Sequence, residues 1–425
     1  MTCDELITLL RGSGADAWEL TDVRTEGWEF YFIRHMLDQN RVTEVRTISV
    51  TLYRLLEDGF LGAASGEISP TSSEKEIEKA LSDIYFQASL VKNPVYTLTD
   101  KQVIPPQPKT VDMADIAKSF ITAMAQVGET ETEDINSYEI FVRENSRHFL
   151  NSNEVEYTVC FPSSMIEIVV NARSGAREIE VYRMLRSGTC DAEKLCRDTE
   201  KAIRYAKDRL IAEATPKLDT CDVLFSTEDA VRIYEYFYEK TSADMIFRQL
   251  SDWTRGTEIA PNMVGDRITM KAVSSLENSS ADYSIDEEGA AICDRTLIRS
   301  GVVENLWGHR QFCQYLGMED SSIVRNIMVE GGTHSEEDLR KEDCLEVVEF
   351  SDFQVDPVSG DIAGEIRLAY LYRNGTVSIV SGGSVTGQMA DVIPTMEFSA
   401  EIEQYDNFVI PKVTRLKNLK ITGVE

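Results

Sequence analysis

Imidazole, thiolate and carboxylate side chains are the groups in this chain that could bind a metal ion or move a proton. The chain has four histidines. His35 and His148 have no second metal-type ligand at a useful spacing. His309 in WGHRQFC is predicted to be an ordinary surface or packed residue, and His334 in GGTHSEED stands in a predicted loop. So few imidazoles exclude a catalytic metal cluster built from histidines.

The thiols and a glycine-rich segment give no stronger signal. Eight cysteines are scattered along the chain, and none forms a C-x-x-C pair. This pattern is typical of reduced, mostly buried thiols, and it predicts a structural role for the neighbouring Cys190 and Cys196. No G-x-S-x-G serine motif occurs. The segment SGGS at 381–384 lies between two predicted strands, which favours a turn or bulge over a phosphate site.

Adjacent carboxylates provide the other candidate chemistry. Asp286, Glu287 and Glu288 precede Gly289, and carboxylate oxygens are the ligands that hard cations prefer. Three consecutive side chains point in different directions, however. The favoured interpretation of this segment is therefore a solvated turn.

The charge of the chain limits its possible partners. Net charge is −30, from 43 basic and 73 acidic residues, and the C-terminal half carries most of this acidity. An acidic surface repels a polyphosphate backbone, so direct binding to nucleic acid is not expected. No apolar run approaches the roughly 18–20 residues of a membrane span, and the N-terminus lacks a signal-peptide pattern. These features predict a cytoplasmic protein without a membrane segment.

Prolines and repeated strand-to-helix transitions divide the chain into predicted units. Three prolines in the segment VIPPQPK indicate an extended linker. The predicted fold class is α+β, with two N-terminal units of strands plus a long helix and a larger C-terminal domain rich in antiparallel β-strand. The expected boundaries are 1–102 for the N-terminal α+β domain, 103–111 for the linker, 112–219 for the middle α+β domain and 220–425 for the C-terminal domain.

Local patterns place the main helices and one hairpin. A capping box at Ser73 predicts the start of a helix, and apolar residues at 3–4 spacing predict another over about 191–211. A further helix is predicted to begin near Thr227. The dipeptide Asn374-Gly375 between two strand patterns predicts a hairpin with a type I′ turn.

The stretch DYSIDEEGAAICDRTLIRSGVVENL (282–306) and its neighbours resemble a known family. The order VLFSTEDAVRIYEYF, DYSIDEEG, LIRSGVVENL, QYLG, VSGDIAGEIRLAYLYRNGTV, GGSVTG and PKVTRLKNLKITG is similar to that of the TldD/PmbA family, the so-called modulators of DNA gyrase. Within this family the chain resembles the PmbA (TldE) branch more than the TldD branch. The resemblance assigns family-signature positions to Asp286, Gly289, Asn305, Gly360, Asp361 and Gly364.

The resemblance also implies where a zinc site would stand. The peptidase branch carries H-E-x-x-x-H on the first helix of its third domain, where two imidazoles bind zinc and the Glu can act as general base, and a later cysteine completes the ligands. This chain has Glu235, Tyr236 and Lys240 at those positions, and no cysteine follows Cys344. We therefore expect no catalytic residue, metal site or cofactor in this chain, and zinc only in a partner subunit.

Three hypotheses for function follow. In the first, the chain is a metal-free, PmbA/TldE-like subunit of a TldD/TldE-type zinc metalloprotease and helps bind unfolded or small peptides for proteolysis. The resemblance implies an assembly around a cleft, in which main-chain pairing to a strand edge would hold extended peptides. In the second, the chain is a stand-alone homodimeric factor that binds peptides or proteins. In the third, it is a divergent hydrolase, for instance with a carboxylate-bound metal near Glu235 and Glu239.

Overall fold

The structure is a computed structural model that describes residues 3–102, 112–318 and 322–424. The N-terminal part, up to residue 211, combines helices with long strands. Its elements are α1 (Cys3–Gly12), β1 (Ala17–Ile33), β2 (Met36–Leu55), β3 (Leu61–Ile68), α2 (Glu74–Ala88), α3 (Met113–Met124), β4 (Glu133–Asn151), β5 (Glu156–Ser174), β6 (Arg177–Ser187) and α4 (Ala192–Ile211).

These strands form one antiparallel sheet in the order β3-β2-β1-β4-β5-β6. The central β1–β4 pair runs from Glu19 opposite Asn151 to Ile33 opposite Ser137. The predicted linker, 103–111, lies outside the described residues, but strands from both sides of it share this sheet. The two N-terminal units therefore form one continuous layer rather than two separate sheets. The predicted domain boundaries themselves remain a prediction.

The long helices begin where the sequence predicts. Ser73 and Glu76 form a capping box at the start of α2, in which each residue satisfies a backbone N–H that the helix leaves free. Asp191 caps α4, because its side chain accepts the backbone N–H of Lys194 at 2.9 Å. Each helix then buries an apolar stripe against the sheet. In α2 and α4 these stripes include Ile77, Leu81, Ile84, Leu195, Ala202 and Leu210.

The C-terminal part contains short helices and many strands. Its elements are β7 (Glu213–Ala214), β8 (Leu218–Phe225), α5 (Val231–Lys240), α6 (Ala243–Phe247), β9 (Met270–Val273), β10 (Arg295–Arg299), β11 (Val302–Val303), α7 (Arg310–Tyr315), β12 (Asn326–Val329), α8 (Glu336–Leu339), β13 (Cys344–Val355), β14 (Asp361–Arg373), β15 (Thr376–Ser381), β16 (Ser384–Gln388), α9 (Met389–Val392), β17 (Glu397–Phe398), β18 (Ile402–Tyr405), β19 (Phe408–Pro411) and β20 (Thr414–Thr422). A 3₁₀ turn, Glu228–Ala230, precedes α5.

Two further sheets enclose the largest apolar core. One has the order β11-β10-β9-β12-β19-β18, and the other has the order β13-β8-β20-β16-β14-β15-β7. Helix α5 lies in this core and contributes Ile233, Tyr234 and Phe237, while β4 and β5 contribute Phe149 and Tyr157. The first sheet and the C-terminal part therefore share buried apolar contacts.

The α+β fold class is confirmed by these mainly antiparallel sheets and the helices packed on them. The hairpin prediction is also confirmed, since β14 and β15 are joined at Asn374 and Gly375, whose φ angles are 51° and 75°. Positive φ at both central residues is what a type I′ turn requires. Among the residues described, no helix is both long enough and apolar enough to cross a membrane.

Candidate functional site

Helix α5 holds the three residues that stand at the zinc-motif positions. Glu235 accepts a hydrogen bond from Arg232, with 2.6 Å between Oε2 and Nη1. Tyr236 is buried and meets Trp253 edge to face, at 5.9 Å between ring centroids. Lys240 is 8% exposed and its Nζ donates to the carbonyl of Leu250 at 3.4 Å.

This set of donors does not fit a zinc ion. The Lys240 ammonium has no lone pair to offer, and burial raises the pKa of Tyr236 to about 12, so its phenol keeps its proton at neutral pH. Glu235 is the single anionic ligand of the three, and Arg232 already neutralises it. In the part of the chain that the structure describes, no group of three or more His, Cys, Asp or Glu side chains is arranged to hold a metal.

The other acidic residues near α5 do not complete such a site. Burial, followed by the charges of Glu235 and Asp244, raises the pKa of Glu239. The imidazole of His309 lies 3.1 Å from Glu288, between Nδ1 and Oε1. This hydrogen bond raises the pKa of His309, and it engages Nδ1 with the Glu288 carboxylate. The His309–Glu288 pair joins residues 21 positions apart, and no local pattern predicts it.

Two further histidines and the thiols are equally dispersed. His35 lies 3.3 Å from Glu129 and His148 lies 3.1 Å from Glu156. Cysteines 160, 190, 196, 221, 293, 313 and 344 are free thiols. Burial raises the pKa of Cys190 to about 12, so this residue is not a reactive thiolate.

The interpretation of residues 286–289 as a solvated turn is wrong. Asp286 is fully buried, and its carboxylate accepts backbone N–H groups from Glu288 at 3.0 Å, Ala290 at 2.8 Å and Ile323 at 2.8 Å. Solvation was expected because charged turn residues usually face water. Here three backbone donors replace that water, so Asp286 organises the turn from inside.

The same turn joins the first sheet to the C-terminal part. Arg147 on β4 donates to the carbonyl of Ile285 at 2.5 Å and lies 3.8 Å from Glu287. The hydroxyl of Thr99 donates to the carbonyl of Glu288 at 2.7 Å, and the Asn151 amide donates to the carbonyl of Thr99 at 2.8 Å. The extended segment after α2 is thereby held between the sheet and the turn.

The other signature positions hold strands and turns in place. Asn305 donates its side-chain amide to the carbonyl of Thr296 at 2.9 Å. Gly360 has a φ of +77° at the turn before β14. Asp361 accepts a hydrogen bond from the Ser359 hydroxyl at 2.6 Å. A Cβ on Gly364 would lie 2.7 Å from the Phe350 ring. These contacts are structural, and the assignment of the positions as a family signature stays a prediction.

A cavity of about 220 Å³ opens between the first sheet and the C-terminal part. Its walls come from β6, α4, β13 and the segment that leads into α5, and they include Glu228 and Asp229. Glu228 lies at an exposed position of this wall, and its neighbour Asp229 is half-buried. Sequence reasoning missed this cavity because distant segments build it, and the acidic start of α5 was the one local signal.

The fold and the α5 geometry define a mixed α and β protein in which the side chains of α5 do not form a fitting zinc ligand set. Residues 218–423 match the family model of the PmbA/TldA metallopeptidase C-terminal domain. The C-terminal domain, slightly less than half of the chain, is therefore a domain of the PmbA/TldD type. A Methanothermobacter thermautotrophicus protein named "Metalloprotease" is 28% identical over 144 residues, which are 32% of this chain and 29% of that protein.

Solved structures share the whole fold at low sequence identity. TldE from Thermococcus kodakarensis has a TM-score of 0.77 and 15% identity, with 99% of this chain and 100% of that chain covered. A protein proposed to be a modulator of DNA gyrase, from Bacteroides thetaiotaomicron, has a TM-score of 0.77 and 17% identity, with 99% and 98% covered. A protein described in the same way from Thermotoga maritima has a TM-score of 0.75 and 14% identity, with 99% of each chain covered.

Proposed function

We propose that this chain is the metal-free, PmbA/TldE-like subunit of a two-component zinc metallopeptidase. In this role it helps bind unfolded or small peptides in the cytoplasm, and a TldD-type partner supplies the zinc and cuts them. The observation that carries the proposal is the state of α5: Glu235 is paired with Arg232, Tyr236 is a buried phenol and Lys240 is a buried ammonium. A helix whose side chains make these contacts packs against its neighbours and does not bind a metal.

The comparisons support the two halves of this proposal separately. The match over the C-terminal domain associates the chain with metallopeptidases, and the shared fold of TldE extends over nearly the whole chain. The cavity beside β6 supplies a concave surface on which a peptide could be held. A strand at the edge of a sheet is also a common place for an extended peptide to pair.

The test compares the chain alone with the chain plus a TldD-type subunit from the same host. We expect the chain alone to contain no stoichiometric zinc and to cleave no unfolded peptide, and we expect the pair to co-purify and to cleave it. The matched control is the pair with alanine at the Glu of the partner's H-E-x-x-x-H motif, which should be inactive. Peptide cleavage that survives in this control pair would contradict the proposal.

The same preparation decides between the alternatives. Recovery of this chain only with copies of itself would support a stand-alone homodimeric binding factor. A divergent hydrolase would require zinc or another metal in the isolated chain, together with activity that the substitution Glu235→Ala abolishes. On the present geometry we expect Glu235→Ala to leave peptide binding unchanged, because Glu235 contacts Arg232 on the surface of α5.

A further inference from the structure

The cavity beside β6 has an excess of negative charge. Four carboxylates line it, against two cationic side chains; the lining charged residues are Asp198, Glu228, Asp229, Glu349, Arg183 and Lys201. The two cationic side chains of the lining already lie close to the other two carboxylates. Lys201 lies 3.6 Å from Asp198, and Arg183 lies 3.8 Å from Glu349.

Two of these carboxylates have no cation in direct contact, although the charges of Arg183, Lys194 and Arg232 act on them from a greater distance. Among the described residues, no Lys, Arg or His nitrogen lies within 4.0 Å of Glu228 or Asp229. Asp229 accepts one hydrogen bond, from the hydroxyl of Thr227 at 3.3 Å. Acidic residues at a helix start are favoured by the helix dipole, which explains their presence at α5. It does not explain why they face a cavity.

A separate observation shows that polar atoms in this cavity lack partners. Glu349 is 8% exposed, and its Oε2 is buried without a hydrogen-bond partner, although its Oε1 lies 3.2 Å from Arg209. The Nη2 of Arg183 is likewise buried and unpartnered. Buried polar atoms are normally hydrogen-bonded, so an N–H donor that enters the cavity would complete the bond to Glu349, whereas Arg183 needs an acceptor such as a backbone carbonyl.

The remaining walls suit an organic cation with an apolar stem. The rings of Tyr182, Phe350 and Tyr405 and the side chain of Leu185 contribute to the lining. Aromatic faces attract cations, and the methylene stem of a lysine or arginine packs on apolar surface. The volume, about 220 Å³, lies below the roughly 300–1,000 Å³ of sites for drug-sized molecules. It therefore matches one long side chain.

We propose that this cavity binds a lysine or arginine side chain of a bound peptide. The proposal rests on the proposed function and adds a preference for basic residues to it. The ammonium or guanidinium group would lie between Glu228 and Asp229, where it would supply the missing counter-charge. The backbone of the same peptide would pass along the outer edge of β6, which no other described strand of its sheet covers.

The test uses the full chain and three labelled peptides that differ at one central position, which is lysine, norleucine or glutamate. Fluorescence anisotropy should show at least tenfold tighter binding of the lysine peptide than of the norleucine peptide, and the weakest binding of the glutamate peptide. The double variant Glu228→Gln/Asp229→Asn should lose the preference for lysine and keep its affinity for the norleucine peptide. The control double variant Glu193→Gln/Glu200→Gln removes the same charge from exposed positions on α4 and should keep the preference.

The outcomes separate this inference from the proposed function. Equal binding of the three peptides, or an unchanged lysine preference in the cavity variant, would overturn the inference and leave the peptide-binding role standing. Failure to bind any peptide, alone or with the zinc subunit, would overturn both. Folding of the cavity variant is checked by its Tm at pH 8, which should stay close to that of the natural protein, because the lost repulsion between the two carboxylates offsets their lost interaction with the helix dipole. The single variant Glu228→Gln, at an exposed position, provides the same comparison if the double variant does not fold.

Discussion

At the scale of single residues, the buried turn at Asp286 depends on the glycine that follows it. Gly289 has a φ of +82°, and a Cβ at this position would lie 2.8 Å from a ring carbon of Phe149. Left-handed backbone favours glycine because a side chain there meets the neighbouring carbonyl. The turn is therefore restricted both by its conformation and by the β4 side chain that packs against it.

We expect Gly289→Ala to lower the free energy of unfolding by about 2–4 kcal/mol, the sum of a conformational cost and an overpacking cost. The measurement is urea unfolding at pH 7. Gly175→Ala is the matched control, since Gly175 has a φ of +60° and no atom within 4 Å of the added Cβ. That variant should lose only about 1 kcal/mol. Equal losses in the two variants would show that the Phe149 contact does not matter.

A second residue-scale prediction concerns Glu19, beside the same turn. Burial, opposed by a hydrogen bond from Tyr53 and increased by the charges of Glu288 and Asp286, raises the pKa of Glu19 to about 7 from 4.5. The folded state therefore favours the protonated carboxyl. The stability from this group is present in full below pH 4.5 and is lost as the pH rises through about 7.

Glu19→Gln should remove this part of the pH dependence, while the amide oxygen can still accept the Tyr53 hydrogen bond. Between pH 4.5 and 8, we expect the unfolding free energy of the variant to fall by about 1–3 kcal/mol less than that of the natural protein. Asp286, whose pKa is also raised to about 7 by burial, keeps part of the dependence. Glu26→Gln, at an exposed position on the same strand, should leave the pH profile unchanged. Parallel profiles for Glu19→Gln and the natural protein would refute the assignment.

At the scale of elements, the start of α4 is the clearest case in which one side chain defines a boundary. The side chain of Asp191 accepts the backbone N–H of Lys194 at 2.9 Å. We expect Asp191→Ala to cost about 1 kcal/mol in unfolding free energy and Asp191→Ser to cost much less, because serine also caps helices. Chemical denaturation measures both. A loss in Asp191→Ser as large as that in Asp191→Ala would mean that the cap is not the cause.

Local signals of this kind explain which elements the sequence predicted correctly. The capping box at Ser73 and the Asn374-Gly375 turn depend on a few adjacent residues, so their patterns can be recognised from the sequence alone. Strand β5 is harder to recognise in the sequence, since Pro162 and the serines after it interrupt its pattern. In the structure its partners β4 and β6 continue the pairing across this interruption.

The candidate sites were less predictable for a related reason. Occupation of the zinc-motif positions by Glu235, Tyr236 and Lys240 could be stated from the chain alone through a family resemblance. The burial of Asp286 could not, because its third donor is the N–H of Ile323, 37 residues away. The cavity beside β6 depends on segments that only the tertiary fold brings together.

At the scale of the whole molecule, Arg147 connects the first sheet with the C-terminal part. It is 6% exposed, donates to the Ile285 carbonyl and stacks over Tyr283 at 4.6 Å. Loss of a buried cation leaves its former partners desolvated, so Arg147→Met should lower stability by about 2–4 kcal/mol.

We also expect Arg147→Met to make the turn at 286–289 more accessible, which faster hydrogen exchange of the Ile285 and Ala290 amides would report. Arg143→Met, four residues earlier on the same strand, is the control, because Arg143 stacks on Phe141 on the same sheet rather than contacting the turn. A stability loss in Arg147→Met without faster exchange at the turn would argue against the proposed connection.

The central β1–β4 pairing has a consequence for the covalent continuity of the chain. From Glu19↔Asn151 to Ile33↔Ser137, main-chain hydrogen bonds join residues that precede position 102 to residues that follow position 112. A peptide bond between those positions is not what keeps the two stretches together. The gene could thus be split there, and co-expressed fragments should reassemble into one particle. A reporter placed on each fragment would then read out folding of the sheet by complementation.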